Sequence, residues 1–281
     1  MIEYFNFYYF LFLAIVVGLV IGLYFLLRNK KEKTISIVLF CILLGNFALH
    51  FLKLTTEHYQ SWMPTAIRTI TPENICAFSV LVFPWFYISG KKLLRDYMFY
   101  MGVMSGVAAT LLPIDVIGFE VLDFETIRFY TAHIILWVVP LLMVVLGVHT
   151  LDYKRVLKVP FIAIFTLCII LVNEVILVGA GFVQMEHFFS YEIRNPALIF
   201  GPLPAVEPAG TILTALTPAI FTTVPIGPNA GETFYWPIVW MIIPGVIYFS
   251  AMSFLLCLPF EFKKIKGDFI GVFRGIDKKC L

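Results

Sequence analysis

The sequence predicts an all-α, polytopic membrane protein: a single domain over residues 1–281, built as a bundle of seven transmembrane helices with its N-terminus outside and C-terminus in the cytoplasm. Three observations lead there. Hydrophobic residues make up 60% of the chain and charged ones only 14%, a balance that a water-exposed domain cannot carry. Seven apolar stretches recur, each at or near the roughly 20 residues needed to cross a bilayer. The basic residues gather in alternate connections rather than spreading evenly.

The first stretch, residues 4–27, opens with MIEYFNFYYF and has its positive cluster after the apolar run. A cleaved signal peptide has the reverse order, so this segment is expected to remain as a helix. Residues 34–54 form the second. The third, 75–89, and the fourth, 97–113, fall short of a full crossing and are expected to extend into their flanks. Residues 129–148 and 159–178 supply the fifth and sixth. Between the sixth and the seventh, 236–258, stands an outer segment, 184–235, with seven prolines and many apolar residues. Proline disfavours a spanning helix there and the apolar content disfavours a solvated coil, so it reads as an interfacial cover. The tail, 260–281, spaces Phe269, Val272, Phe273 and Ile276 along one face, which suits the inner leaflet, although Gly267, Gly271 and Gly275 weaken the helix.

Orientation follows from sixteen of the twenty Lys and Arg residues: Arg28 to Lys33, Lys91 to Arg95, Lys154 to Lys158, and the tail. Cytoplasmic connections retain such residues, which places these four segments inside. Lys53, Arg68, Arg128 and Arg194 fall outside. The same asymmetry accounts for the basic patches without a nucleic-acid partner.

Polar groups inside the spans are costly, so their positions carry information. Cys76, His133, His50, Asn173 and Glu174 all fall in one layer near the outer boundary. Cysteine and histidine together perform nucleophilic catalysis: the imidazole takes the thiol proton and the thiolate attacks an ester to form an acyl-cysteine. Glu73, one turn before Cys76, shares its helix face and is placed to orient His133 or meet solvent; Asn74 or Asn173 is placed to donate to an oxyanion. The structural alternatives are a packed thiol, an interhelical histidine or asparagine hydrogen bond, and a capping glutamate. Cys41, Cys168 and Cys257 suit packing alone. No CxxC or metal-ligand spacing occurs, so neither a metal nor another cofactor is implied.

PENICAFSVLVFP, with Cys76, and RFYTAHIILWVVPL, with His133, resemble the third and fifth helices of the seven-helix YwaF-type bacterial membrane proteins, relatives of the animal acyltransferase transmembrane protein 164. YMFYMGVMSGVAATLLPID is similar to that family's glycine-containing fourth helix, and VNEVILVGAGF, GPLP and the last LPF fall in the expected order. The chain departs from the pattern at Gly181 and Phe182, where an Asn-Tyr pair is expected, and in some thirty additional residues before the last helix. The resemblance implies acyl transfer from a phospholipid donor to a lysolipid-type acceptor in the cell membrane, with Cys76 as nucleophile and His133 as general base. Glu73, Asn74 and Asn173 come from the physical reading and not from the family.

Three other functions compete. Water reaching the acyl-cysteine first makes the protein a lipid ester hydrolase. His50 and His133 at similar depth suit axial ligation of a haem. Asn173 and Glu174 suit a transport path. A retinal protein is excluded because WPIVWMIIPGVIYFSAMSFLLCL has no lysine for a Schiff base.

Overall fold

The computed structural model describes residues 1–188, 196–202 and 207–277. Within them the protein is all-helical: α1 Phe7–Leu27, α2 Glu32–Phe51, the short α3 Glu57–Gln60, α4 Ile75–Ile88, α5 Lys92–Leu111, α6 Phe124–Val145, α7 Val159–Gly179, α8 Glu207–Ala215 and α9 Val239–Asp277. The described residues hold no strand beyond an isolated bridge between Thr223 and Thr233. Six of the helices, α1, α2, α5, α6, α7 and α9, are long and apolar enough to cross a membrane, some with a 3-10 extension.

The fourth stretch lengthens as expected, reaching 20 residues in α5. The third does not. α4 keeps 14 residues, which at 1.5 Å each span about 21 Å against a hydrocarbon core of about 30 Å. Its start is fixed by Asn74, whose Oδ1 accepts from Ala77 N at 2.8 Å, and the chain before it follows a separate 3-10 turn, Thr65–Ile70. An N-cap of this kind ends the helix where it stands.

α5 and α6 form the most extensive helix pair. Gly102 and Gly106, four residues apart on α5, make it possible: a Cβ on Gly102 would run into the Leu136 carbonyl, and one on Gly106 would lie 2.8 Å from the His133 carbonyl and 2.9 Å from Trp137. Lipid gives no hydrophobic drive for helices to associate, so close backbone approach across small residues replaces it. Interhelical hydrogen bonds add to it: Asn46 Nδ2 donates to Ala132 O at 3.2 Å, Tyr87 OH to Ser36 Oγ at 3.1 Å, and Tyr97 OH pairs with Thr166 Oγ1 at 2.9 Å.

At the opposite end from the Asn74 cap, fully buried Asp96 accepts from His149 Nε2 at 2.7 Å and from two nitrogens of Arg155, joining α5 to the connection before α7. A buried carboxylate is tolerated only when its oxygens are so satisfied. The tail continues α9 without a break, giving a 39-residue helix about 58 Å long. Lys264 Nζ reaches Asp152 at 3.1 Å and Lys154 Nζ reaches Asp268 at 2.9 Å, clasping that extension to the connection after α6.

α1 stands at the edge. Tyr9 OH donates to Leu111 O at 3.0 Å, Phe12 stacks on Tyr130 at 4.0 Å, and Ile2 exchanges backbone hydrogen bonds with Gly118 and Phe119. Phe7, Phe10, Val17, Ile21 and Phe25 remain exposed, as a lipid-facing stripe must be.

The outer segment is folded where it is described. Trp240 Nε1 donates to Leu198 O at 3.0 Å, Ile238 N to Ile199 O at 3.0 Å, and Thr217 Oγ1 to Trp240 O at 2.9 Å. Ile199 and Phe200 are buried with Leu167, Ile170 and Ile238. The segment is thereby pinned to the start of α9. Residues 189–195 and 203–206 of the expected cover, and the last residues of the tail with Cys280, lie outside the described residues.

Candidate active site

α4, α5 and α6 enclose one end of a cavity of about 500 Å³, and both Cys76 and His133 line it. With Asn74 as N-cap, Cys76 is the second residue of α4. The first-turn N–H groups of a helix lack intrahelical acceptors and the macrodipole is positive there. Ser105 of α5 lies beside the Cys76 thiol and lines the same cavity, its Oγ donating to Met101 O at 2.7 Å.

His133 is held in one tautomer. Phe129 O lies 2.8 Å from Nδ1, and a carbonyl only accepts, so Nδ1 carries the proton and Nε2 of the neutral ring keeps its lone pair. Gly106, next to Ser105, brings the His133 backbone against α5. Cys76 is therefore linked to Ser105 and His133 to Gly106, adjacent positions on a single helix. The pair assigned from sequence shares one cavity.

The other assigned residues separate. Glu73 and Asn74 line the same cavity, with Asn74 Oδ1 engaged in the cap and its amide NH₂ left for donation. Asn173 sits on α7, is not among the lining residues, and donates from Nδ2 to Thr71 Oγ1 at 3.0 Å. It steadies the turn that leads into Asn74. Glu174 is buried on α7. His50 lines the cavity with Ile70 as a backbone partner, and its Nε2 is buried with no partner.

Sequence reasoning missed the charged wall. Lys53 is 8% exposed, donates from Nζ to Thr69 O at 2.9 Å, and lines the cavity. Arg128 donates to Glu125 Oε2 at 2.7 Å; Tyr59 OH donates to the same oxygen at 2.9 Å. Burial pushes the Tyr59 phenol far above its ordinary range, which keeps it a donor. Glu125 Oε1 is buried without a partner. The one available signal was that Lys53, Arg128 and Glu73 are all charges adjoining the outer ends of apolar runs. Ser105 was legible as the residue preceding the second glycine of GVMSG.

Among the described residues no group of three or more His, Cys, Asp and Glu side chains is arranged to hold a metal ion. Five charged residues, Lys53, Arg128, Glu73, Asp115 and Glu125, are among those lining the cavity.

Fold and cavity together define a multi-pass helical membrane protein with a cysteine and a histidine facing one polar chamber near a helix N-terminus. Residues 4–252 match the TMEM164 family, and the chain belongs to it. No curated protein and no solved structure gives a significant match.

Proposed function

We propose that the protein is a lipid acyltransferase of the cell membrane that works through an acyl-cysteine on Cys76. The observation that carries this reading is the placement of Cys76 at the second position of α4 in a cavity that His133, its Nδ1 engaged by Phe129 O, also lines. Topologically, α4 serves as a seventh, short crossing, with the N-terminus outside and the C-terminus inside, so the charged wall meets the outer headgroups.

His133 Nε2 takes the Cys76 thiol proton, and the thiolate attacks the ester carbonyl of a phospholipid. The tetrahedral oxyanion sits against the free first-turn N–H of Cys76 and the Asn74 amide. Its collapse breaks the ester C–O bond, and the departing lysolipid alkoxide takes the proton from His133. The acyl group is now a thioester on Cys76. An acceptor lysolipid then gives its hydroxyl proton to Nε2 and attacks the thioester carbon; the C–S bond breaks and the proton returns to sulfur. Water in the acceptor's place gives the hydrolase reaction by the same route.

Lys53 holds the donor's phosphate as a point charge, and Arg128, whose Nε and Nη2 are engaged by Glu125, adds its remaining Nη1. Ser105 donates to the thiolate once its hydroxyl swings away from Met101 O, Glu73 balances Lys53, and Asn173 acts through the Thr71 turn without touching substrate.

The test is intact mass of the purified protein after incubation with labelled phosphatidylcholine. A single acyl adduct, absent in Cys76→Ala and at least about tenfold slower to form in His133→Ala, is the expected result. Wild-type lipid turnover by Cys76→Ala would end the proposal.

A further inference from the structure

A second cavity, of about 440 Å³, lies between α7, α8 and α9 and is lined almost wholly by aliphatic and aromatic side chains, Leu167, Leu213, Met241 and Phe249 among them. It has no side chain that carries charge. Two residues line both this cavity and the polar one: Ile75, the neighbour of Cys76, and Ala197 of the outer segment. The two spaces therefore meet beside the nucleophile.

Ala197 and Leu198, which both line the apolar cavity, adopt left-handed backbone with φ of 51° and 62°. Such a conformation costs a non-glycine residue of order 1–3 kcal/mol and persists only where the surroundings over-determine it. Here the Leu198 carbonyl accepts from Trp240 Nε1 at 3.0 Å, and the turn is thereby held against α9. The result is a wall that divides the two cavities with small Ala197 at the join.

We infer that the apolar cavity is the acyl-chain site: it receives the hydrocarbon chain of the group transferred to Cys76, the ester passing between Ile75 and Ala197 while the headgroup stays on the Lys53 and Arg128 side. This rests on the acyl-cysteine reading above and adds to it the part of the substrate that sets chain selectivity. The volume falls in the range of roughly 300–1,000 Å³ found for small-molecule sites. Burial from water cannot provide that selectivity, because the chain leaves one apolar phase for another. Discrimination is instead steric, set by where the cavity ends.

Gly245 lines the cavity from α9, and a Cβ there would meet nothing closer than the Phe249 ring at 3.9 Å. Gly245→Phe therefore adds bulk to the cavity and not to a packed interface. The experiment presents wild type and variant with an equimolar mixture of phosphatidylcholines of graded acyl length and reads the masses of the adducts on Cys76. Gly245→Phe is expected to change the long-to-short adduct ratio by about tenfold toward short chains, the equivalent of about 1.4 kcal/mol. Met241→Ala, which widens the same cavity, is expected to move the ratio toward long chains and serves if Gly245→Phe does not fold. Gly22→Phe on α1, where a Cβ meets nothing within 4 Å, is expected to leave the ratio unchanged. Adducts that form on Cys76 with the same length distribution in both cavity variants would overturn the chain site and leave the acyl-cysteine standing. No adduct in any protein would overturn the acyl-cysteine itself, and the chain site with it.

Discussion

Gly106→Ala tests the way α5 seats the catalytic pair. The added methyl would stand 2.8 Å from the His133 carbonyl and 2.9 Å from Trp137 Cδ1, whereas ordinary contact begins at 3.4 Å. The opposing atom is backbone and has no rotamer to escape through, so α6 must withdraw by roughly 0.6 Å. Overpacking of this kind costs about 1–3 kcal/mol, which exceeds the roughly 1 kcal/mol that alanine gains over glycine in a helix. The shift carries His133 away from Ser105 and Cys76, and a displacement near 1 Å costs about a hundredfold in rate. The acyl adduct on Cys76 is therefore expected to form about 10 to 100 times more slowly, followed by intact mass over time, with a lowered melting temperature in the same detergent. Reaction of the Cys76 thiol with a small alkylating reagent, which needs no lipid geometry, separates a displaced histidine from an unfolded site. Gly45→Ala on α2, where a Cβ meets nothing within 4 Å, is the comparison and is expected to be neutral or mildly stabilising. Wild-type acylation and melting in Gly106→Ala would refute the reasoning.

Asn74→Ala removes the cap on α4 and is expected to lower stability by about 1 kcal/mol and to slow acylation as the first turn frays, read by melting and adduct formation together. Asp96→Ala leaves His149 and Arg155 without their carboxylate and is expected to cost about 3–5 kcal/mol, with unchanged chain selectivity in the folded fraction. A cysteine introduced at Lys91 is expected to resist an impermeant label applied to intact cells; labelling there would reverse the topology. Purified protein is expected to show no Soret band, and one that is lost on changing His50 or His133 would favour the haem reading instead.

The helical class was legible because seven apolar runs and sixteen clustered basic residues are properties of composition, independent of how helices pack. Cys76 and His133 stood out for the same reason, as polar groups in lipid-length segments. What could not be read was the partnership between helices. Lys53 looked like a stray outer charge until its Nζ was found buried on Thr69 O, a contact made by a 3-10 turn with no periodic signal. Asn173 shares the depth of Cys76 and so reads, like Asn74, as an oxyanion donor, yet it donates to Thr71 and does not line the cavity, since depth along a helix says nothing of azimuth. The apolar cavity draws on four helices and a turn far apart in sequence, each of them ordinary by composition.

The marginal position of α1 has a consequence for the order of events during synthesis. Its partners, Leu111, Gly118, Phe119 and Tyr130, all belong to α5, α6 or the connection between them. About a hundred residues separate the end of α1 from α6, which at about 5–20 residues per second means a wait of roughly 5–20 s before its docking surface exists. Through that interval the first helix must persist in the translocon or the bilayer without that surface. Its uninterrupted apolar surface, with no charge between Phe7 and Leu27, is what such an apprenticeship requires.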